Sequence, residues 1–100
     1  MVSNTKTVYR AMCQDEYMET VKDKEAVFYK RFKWFTENLD FIRNRVKDGK
    51  FNNSHILSDR YDIIVEFEAD VSKALQLNAN ELQFDRRRNP KIRMIGIVHD

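Results

Sequence analysis

A row of arginines near the end of the chain is the set of residues best suited to binding phosphates. Arg86, Arg87 and Arg88 are consecutive, and Lys91 and Arg93 follow them closely. Arginines in a turn can hold phosphate oxygens in a bidentate manner. The pattern predicts a nucleic-acid-binding module that uses a basic turn. The alternative is a surface turn whose arginines only face solvent.

A second basic set lies among aromatic residues. Lys30, Arg31 and Lys33 are interleaved with rings that include Phe32 and Trp34. Basic side chains can bind a nucleic-acid backbone while rings stack on its bases, so Trp34 joins the arginine turn as a candidate binding residue. The alternative is that these rings belong to the core. A net charge of only +2 also gives the chain no strong overall field.

Two glutamates, Glu66 and Glu68, lie two residues apart in a run that alternates apolar and polar residues. In a strand this spacing places both side chains on one face. Paired carboxyl groups can act as acid and base if their surroundings separate their pKa values. The alternative is that they line the solvent-facing side of a sheet.

Metal and nucleophile chemistry have few candidates in this sequence. Cys13 is the single cysteine, and His55 and His99 are the two histidines, none of them at a metal-ligand spacing. Cys13 and His55 could form a nucleophile–base pair, but a lone cysteine after a strand is typical of a packing residue. Two glycines, Gly49 and Gly96, cannot build a phosphate-binding loop. The sequence therefore predicts no metal site and no cofactor.

The elements that must position these residues are predicted from apolar periodicity and capping residues. Thr36 is predicted as the N-cap of one helix and Asp70 as the cap of another. Segment 26–35 is ambiguous between strand and helix, and a short strand at its end is favoured. The predicted strands are 5–12, a short one within 26–35, 61–68, 81–84 and 91–98, and the predicted helices are 14–25, 37–48 and 70–77.

This order of elements predicts an α+β fold, with a small mixed or antiparallel sheet and two to three helices. A chain of 100 residues, 42% of them hydrophobic, fits a single globular domain over 1–100. No apolar run is long enough to cross a membrane, and no signal peptide is evident. The single cysteine favours a cytoplasmic location. We therefore expect no membrane partner.

Three short segments together resemble a known family layout. These are Val8-Tyr9-Arg10 on the first strand, Trp34-Phe35-Thr36 before a helix, and Glu66 or Glu68 on a later strand. The arrangement resembles the Arg…Ser/Thr…Glu pattern of ADP-ribosyltransferase-like domains. The resemblance implies that Arg10 contacts the phosphates of NAD, that Thr36 orders the site, and that Glu66 or Glu68 holds the nicotinamide ribose. Arg10 could instead pair with one of these carboxylates across the sheet.

Three hypotheses about function follow. The leading one is a small intracellular, non-enzymatic module that binds another protein or associates with itself, because twelve aromatic residues are many for a chain of this size to bury. Tyr29, Trp34, Phe51 and Tyr61 are its candidate contact residues. The alternatives are an NAD-binding domain that resembles ADP-ribosyltransferases and a nucleic-acid-binding module that uses the basic turn.

Overall fold

The computed structural model of this protein describes residues 4–48 and 61–99. The predictions that concern Phe51, His55 and the loop around them lie outside the described residues. Single turns of 3-10 helix occupy Val71–Lys73 and Arg86–Arg88. The strands are β1 (Thr5–Met12), β2 (Phe32–Phe35), β3 (Ile63–Asp70), β4 (Ala74–Gln76), β5 (Leu82–Asp85) and β6 (Ile92–Ile97), and the helices are α1 (Gln14–Asp23) and α2 (Leu39–Lys47).

The six strands form two small sheets with the orders β1-β3-β6 and β2-β5-β4, and all of these pairings are antiparallel. A single bridge joins the sheets where Tyr9 of β1 meets Thr36, just beyond β2. Its backbone N–H···O distances are 2.7 and 3.0 Å. The α+β class and the small antiparallel sheet are therefore confirmed.

The hydrophobic core lies between the inner faces of the two sheets. Val65 and Phe67 of β3 alternate with half-exposed residues, as the period of a strand with one buried face requires. Phe35 packs edge-on against Phe67 and Phe84, with ring centroids 5.3 and 5.4 Å apart. The remaining buried members of this core are Val8, Met12, Ala69, Leu82 and Ile92. The core thus fixes which face of each strand turns outward.

Helices α1 and α2 begin and end close to their predicted positions, with one correction to the cap of α2. Helix α1 ends where Lys24 adopts a left-handed conformation (φ 56°) and donates its N–H to the carbonyl oxygen of Thr20. The prediction of Thr36 as the N-cap of α2 is wrong. Thr36 is held in extended backbone by its bridge to Tyr9, and the cap is Asn38, whose side chain accepts from the N–H of Phe41 at 3.1 Å.

The predicted helix over 70–77 is also wrong. Asp70 does act as a cap, accepting from the N–H of Ser72 at 3.0 Å, but only one turn of 3-10 helix follows. The chain then becomes strand β4, because Ala74–Gln76 pairs with β5. Sheet pairing thus decides the structure of a segment whose local signals favour a helix. Within the described ranges, no helix is long and apolar enough to cross a membrane.

Candidate functional site

A cavity of about 480 Å³ opens where β1, the end of β2 and the start of α2 meet. Its volume lies within the range of about 300–1,000 Å³ that is usual for small-molecule sites. The bridge between Tyr9 and Thr36 places both strands at its wall, and α2 packs against β1 to close one side. The lining residues are Tyr9, Arg10, Ala11, Trp34, Phe35, Thr36, Phe41, Ile42, Tyr61 and Glu81.

Thr36 is buried at this cavity (3% exposed). Its Oγ1 accepts a hydrogen bond from the N–H of Asn38 at 3.0 Å. Its own N–H and carbonyl are both used in the bridge to Tyr9. The hydroxyl therefore shapes the turn from β2 into α2 and places the first turn of that helix beside the cavity.

Arg10 is among the lining residues, and three hydrogen bonds hold its guanidinium in place. Its Nε and Nη2 donate to the two carboxylate oxygens of Glu16, at 2.6 and 3.1 Å. Its Nη1 donates to the backbone oxygen of Trp34 at 3.0 Å. These bonds use three of the five N–H groups of an arginine. Such a fixed guanidinium is suited to a phosphate or a carboxylate.

Glu16 also binds a second cation, Lys33, and the three charged groups form a buried cluster. The Nζ atom of Lys33 lies 2.9 Å from Oε2 of Glu16 and donates to the carbonyl oxygen of Val27 at 2.5 Å. The side chains of Glu16 and Lys33 are only 5% and 4% exposed. Two cations face one carboxylate, so the cluster carries an excess positive charge next to the cavity.

The charges of this cluster shift two pKa values. Burial alone would raise the pKa of Glu16, but the hydrogen bonds and positive charges of Arg10 and Lys33 outweigh it and lower that pKa below 4.5. Burial lowers the pKa of Lys33 below 10.5, the charge of Arg10 adds to this, and the carboxylate of Glu16 offsets only part of it. Glu16 is thus held as the anion that keeps both cations in place.

Glu81 supplies the one carboxylate among the described residues that line the cavity. It precedes β5, and its side chain is 34% exposed, 3.8 Å from the guanidinium of Arg45. The side chain of Asn78 donates to its Oε2 at 3.0 Å. A hydrogen bond of 3.1 Å between Asn38 and Asn80 ties this turn to the N-cap of α2. Glu81 is therefore positioned from both sides of the cavity mouth.

The structure brings together some of the residues predicted from the sequence and separates others. Arg10, Thr36 and Trp34 all line the cavity, but Glu66 and Glu68 do not. These two glutamates alternate with the buried Val65 and Phe67 and so lie on the outer face of β3. Glu68 pairs there with Arg93 at 2.5 Å. Neither glutamate therefore lies on the buried face of the sheet, which is the face from which the side chain of Arg10 reaches Glu16.

Sequence reasoning missed Glu16, Lys33 and Glu81. Glu16 and Lys33 look like surface residues of a helix and an aromatic strand, since nothing local shows that both turn inward. Glu81 stands at the start of a predicted strand, which was the one available signal. Its approach to Thr36 depends on the pairing of β2 with β5, with Phe35 opposite Leu82. That pairing is set by the fold and cannot be deduced from the sequence pattern.

The arginine turn lies elsewhere, at the end of β5. Asp85 accepts from the N–H of Arg87 at 2.9 Å, and residues 86–88 form one exposed 3-10 turn. Lys91 is exposed after it. His99 is also exposed, and Cys13 is a half-buried free thiol at the start of α1. In the part of the chain that the structure describes, no three His, Cys, Asp or Glu side chains cluster closely enough to hold a metal ion.

No family model matches this sequence, and neither the curated proteins nor the solved structures contain a significant match to it. The function proposed below therefore depends on the geometry of the cavity and on the surfaces around it.

Proposed function

We propose that the cavity binds NAD and that the protein is an ADP-ribosyltransferase-like domain. The observation that carries the proposal is that Arg10, Thr36 and a carboxylate, Glu81, line one cavity. The layout predicted from the sequence has the same three residue types, with Glu81 in place of Glu66 or Glu68.

The electrostatics of the cavity support an anionic ligand. Arg10 lines the cavity, and Lys33 adds a second positive charge to the same cluster. Glu16 neutralises only one of these two cations. Because the cluster is largely buried, its field is weakly screened and acts on the nearby cavity. The diphosphate of NAD has the matching charge.

The rest of the lining supports an aromatic ring and a ribose. Several lining residues are aromatic, and those outside the core, such as the partly exposed Tyr9 and Phe41, offer faces on which a base or a nicotinamide ring can stack. A carboxylate such as Glu81 accepts hydrogen bonds from the two hydroxyls of a ribose. The aromatic residues of the lining are Tyr9, Trp34, Phe35, Phe41 and Tyr61.

The proposed reaction is transfer of the ADP-ribosyl group. The bond between C1′ of the ribose and the nitrogen of nicotinamide breaks, and nicotinamide leaves as a neutral molecule with the bonding electrons. A hydroxyl, an amine or water forms the new bond to C1′ and releases a proton. Glu81 would stabilise the positive charge that develops at the ribose, as a carboxylate placed at a developing charge does.

The test is calorimetric titration with NAD, together with detection of released nicotinamide. We expect Glu81→Gln to weaken NAD binding by roughly 10- to 100-fold, because a hydrogen bond to a charged group contributes about 1.5–3 kcal/mol. Glu66→Gln is the matched control, since that glutamate lies outside the cavity lining. The proposal fails if NAD does not bind at about 1 mM, or if Glu66→Gln weakens binding and Glu81→Gln does not.

A second candidate function is the interaction module that the sequence favours, with a protein partner or self-association. Its support is a set of exposed apolar side chains, of which Trp34 and Leu75 are 48% and 60% exposed. Sedimentation over a range of concentrations tests self-association, and a constant monomer mass would contradict it.

We also propose a cytoplasmic location, which the free thiol of Cys13 fits.

A further inference from the structure

The two basic sets of the sequence meet in the fold. The N–H of Arg86 donates to the carbonyl oxygen of Arg31 at 2.8 Å. The guanidinium of Arg31 also forms two hydrogen bonds to Asp85, at 3.1 and 2.9 Å. The result is one exposed basic ridge at the end of β2 and β5, where five cations surround the single carboxylate of Asp85. The ridge consists of Lys30, Arg31, Arg86, Arg87 and Arg88.

An apolar sheet face adjoins this ridge. Phe32 and Trp34 point outward from β2. Lys33 and Phe35, which alternate with them along the strand, are buried. Leu75 of β4 lies in the same row as Trp34. These three side chains are 38%, 48% and 60% exposed, in the order Phe32, Trp34, Leu75.

The register of the sheet places these groups side by side. Trp34 is opposite Gln83 on β5, and Gln83 is opposite Leu75 on β4. Phe32 is opposite Asp85, at the foot of the basic ridge. The guanidinium of Arg31 lies 4.8 Å above the Phe32 ring. The outer face of the β2-β5-β4 sheet therefore begins with cations and continues with two aromatic rings.

We propose that this face binds single-stranded nucleic acid, with the ridge on its phosphates and with Phe32 and Trp34 stacked on its bases. Residues i and i+2 of a strand are about 6.7 Å apart. This is twice the rise of about 3.4 Å per nucleotide in a stacked strand. An extended single strand with separated bases fits such spacing, whereas a duplex keeps its base faces covered. Positive grooves with stacking rings are the usual architecture for this ligand.

The charge distribution favours this occupant over a second copy of the chain. Two copies stacked ridge to ridge would repel each other, and a head-to-tail stack would leave both ridges without anionic partners. An uncharged protein partner would provide no anionic groups to pair with the cations of the ridge. The face shares Trp34 with the lining of the NAD cavity, whereas Phe32 and the ridge lie outside that lining. The proposal does not depend on the reaction proposed for the cavity.

Trp34 provides a direct test, because it is the only tryptophan in the chain. In the absence of NAD, an oligothymidylate of roughly 12 nucleotides should quench its fluorescence. For about three or four phosphate contacts, affinity should fall roughly 20- to 50-fold between about 50 and 200 mM salt. Phe32→Leu should weaken binding at least about fivefold through lost stacking.

The matched variants compare two sets of three charges. Changing all three ridge residues Arg86, Arg87 and Arg88 to Gln should weaken binding at least about tenfold. Changing Lys6, Lys22 and Lys47 to Gln removes the same charge from other exposed positions and should leave binding nearly unchanged.

Several results would overturn the proposal. One is the absence of oligonucleotide binding with NAD binding intact, which would leave the proposed cavity function standing. Another is equal competition by inorganic polyphosphate with no effect of Phe32→Leu, since the rings would then be irrelevant. A third is a Trp34 emission that changes with protein concentration alone, together with a dimer mass, because the face would then be an interface between copies.

Discussion

The guanidinium of Arg10 donates to both carboxylate oxygens of Glu16, from Nε at 2.6 Å and from Nη2 at 3.1 Å. The same carboxylate lies 2.9 Å from the ammonium of Lys33. One buried anion thus holds two cations beneath the cavity. The arrangement fixes the position of the Arg10 guanidinium, and it makes Glu16 the residue on which the local fold depends.

Substitutions of Glu16 and of Lys33 should lower the free energy of unfolding by very different amounts. Glu16→Gln leaves two buried cations without an anion and should lower the free energy of unfolding by about 3–5 kcal/mol. Lys33→Met removes the excess cation and leaves Glu16 paired with Arg10. It should therefore cost only about 1 kcal/mol, mainly from the lost hydrogen bond to Val27. Urea unfolding measures both values, and equal losses would contradict the role assigned to Glu16.

The pH dependence of stability should carry the signature of Glu16. Its pKa is lower in the folded protein than its ordinary value of 4.5. The unfolded chain therefore binds a proton first as the pH falls. The stabilisation from Glu16 is complete above about pH 4.5 and is lost as the pH falls through the folded pKa.

The comparison that isolates this effect is between the wild type and Glu16→Gln. Asp70 and Asp85 also have lowered pKa values, but they are present in both proteins and their contributions cancel. Unfolding free energies from about pH 6 down to pH 3 should converge for the two proteins. A constant difference across this range would show that Glu16 is not the titrating group.

The sequence allowed the strands with one buried face to be predicted well. Val65 and Phe67 alternate with glutamates, and β3 shifts by only two residues from its predicted limits. Strand β1 has its predicted bounds. Such elements are predictable because the alternation of apolar and polar residues within one segment indicates which side chains are buried.

Only some of the residues in and around the cavity could be predicted from the sequence, because the others depend on long-range contacts. Arg10 and Thr36 were found because each stands in a recognisable local context. Glu81 became a lining residue only through long-range pairing of β2 with β5. Lys33 is a lysine in an alternating strand, and only the presence of Glu16 from α1 permits its burial. Contacts of this kind join residues that share no local pattern.

The N-cap of α2 gives a prediction that separates Asn38 from Thr36. Asn38→Ala should lower the free energy of unfolding by about 1 kcal/mol, because the N–H of Phe41 loses its acceptor. Asn44→Ala, at an exposed position inside the same helix, should be neutral or stabilise by a few tenths of a kcal/mol, about the difference in helix propensity. Chemical unfolding followed by circular dichroism measures both. A neutral effect of Asn38→Ala would mean that another residue caps the helix.

Two phenylalanines of β2 provide the sharpest test of how the sheets face each other. Phe35 is 3% exposed and packs edge-on against Phe67 and Phe84, whereas Phe32 is 38% exposed on the outer face. Phe35→Ala removes a ring from the centre of the core and should cost about 3–5 kcal/mol. Phe32→Ala should cost less than about 1 kcal/mol, because its ring is partly solvated and the cation–π contact with Arg31 is exposed. Both variants lose the same atoms from the same four-residue strand, so differences in propensity cancel. Unfolding free energies that rank Phe32 above Phe35 would place the core on the other side of β2, and the aromatic face proposed for nucleic acid would then lie inside the protein.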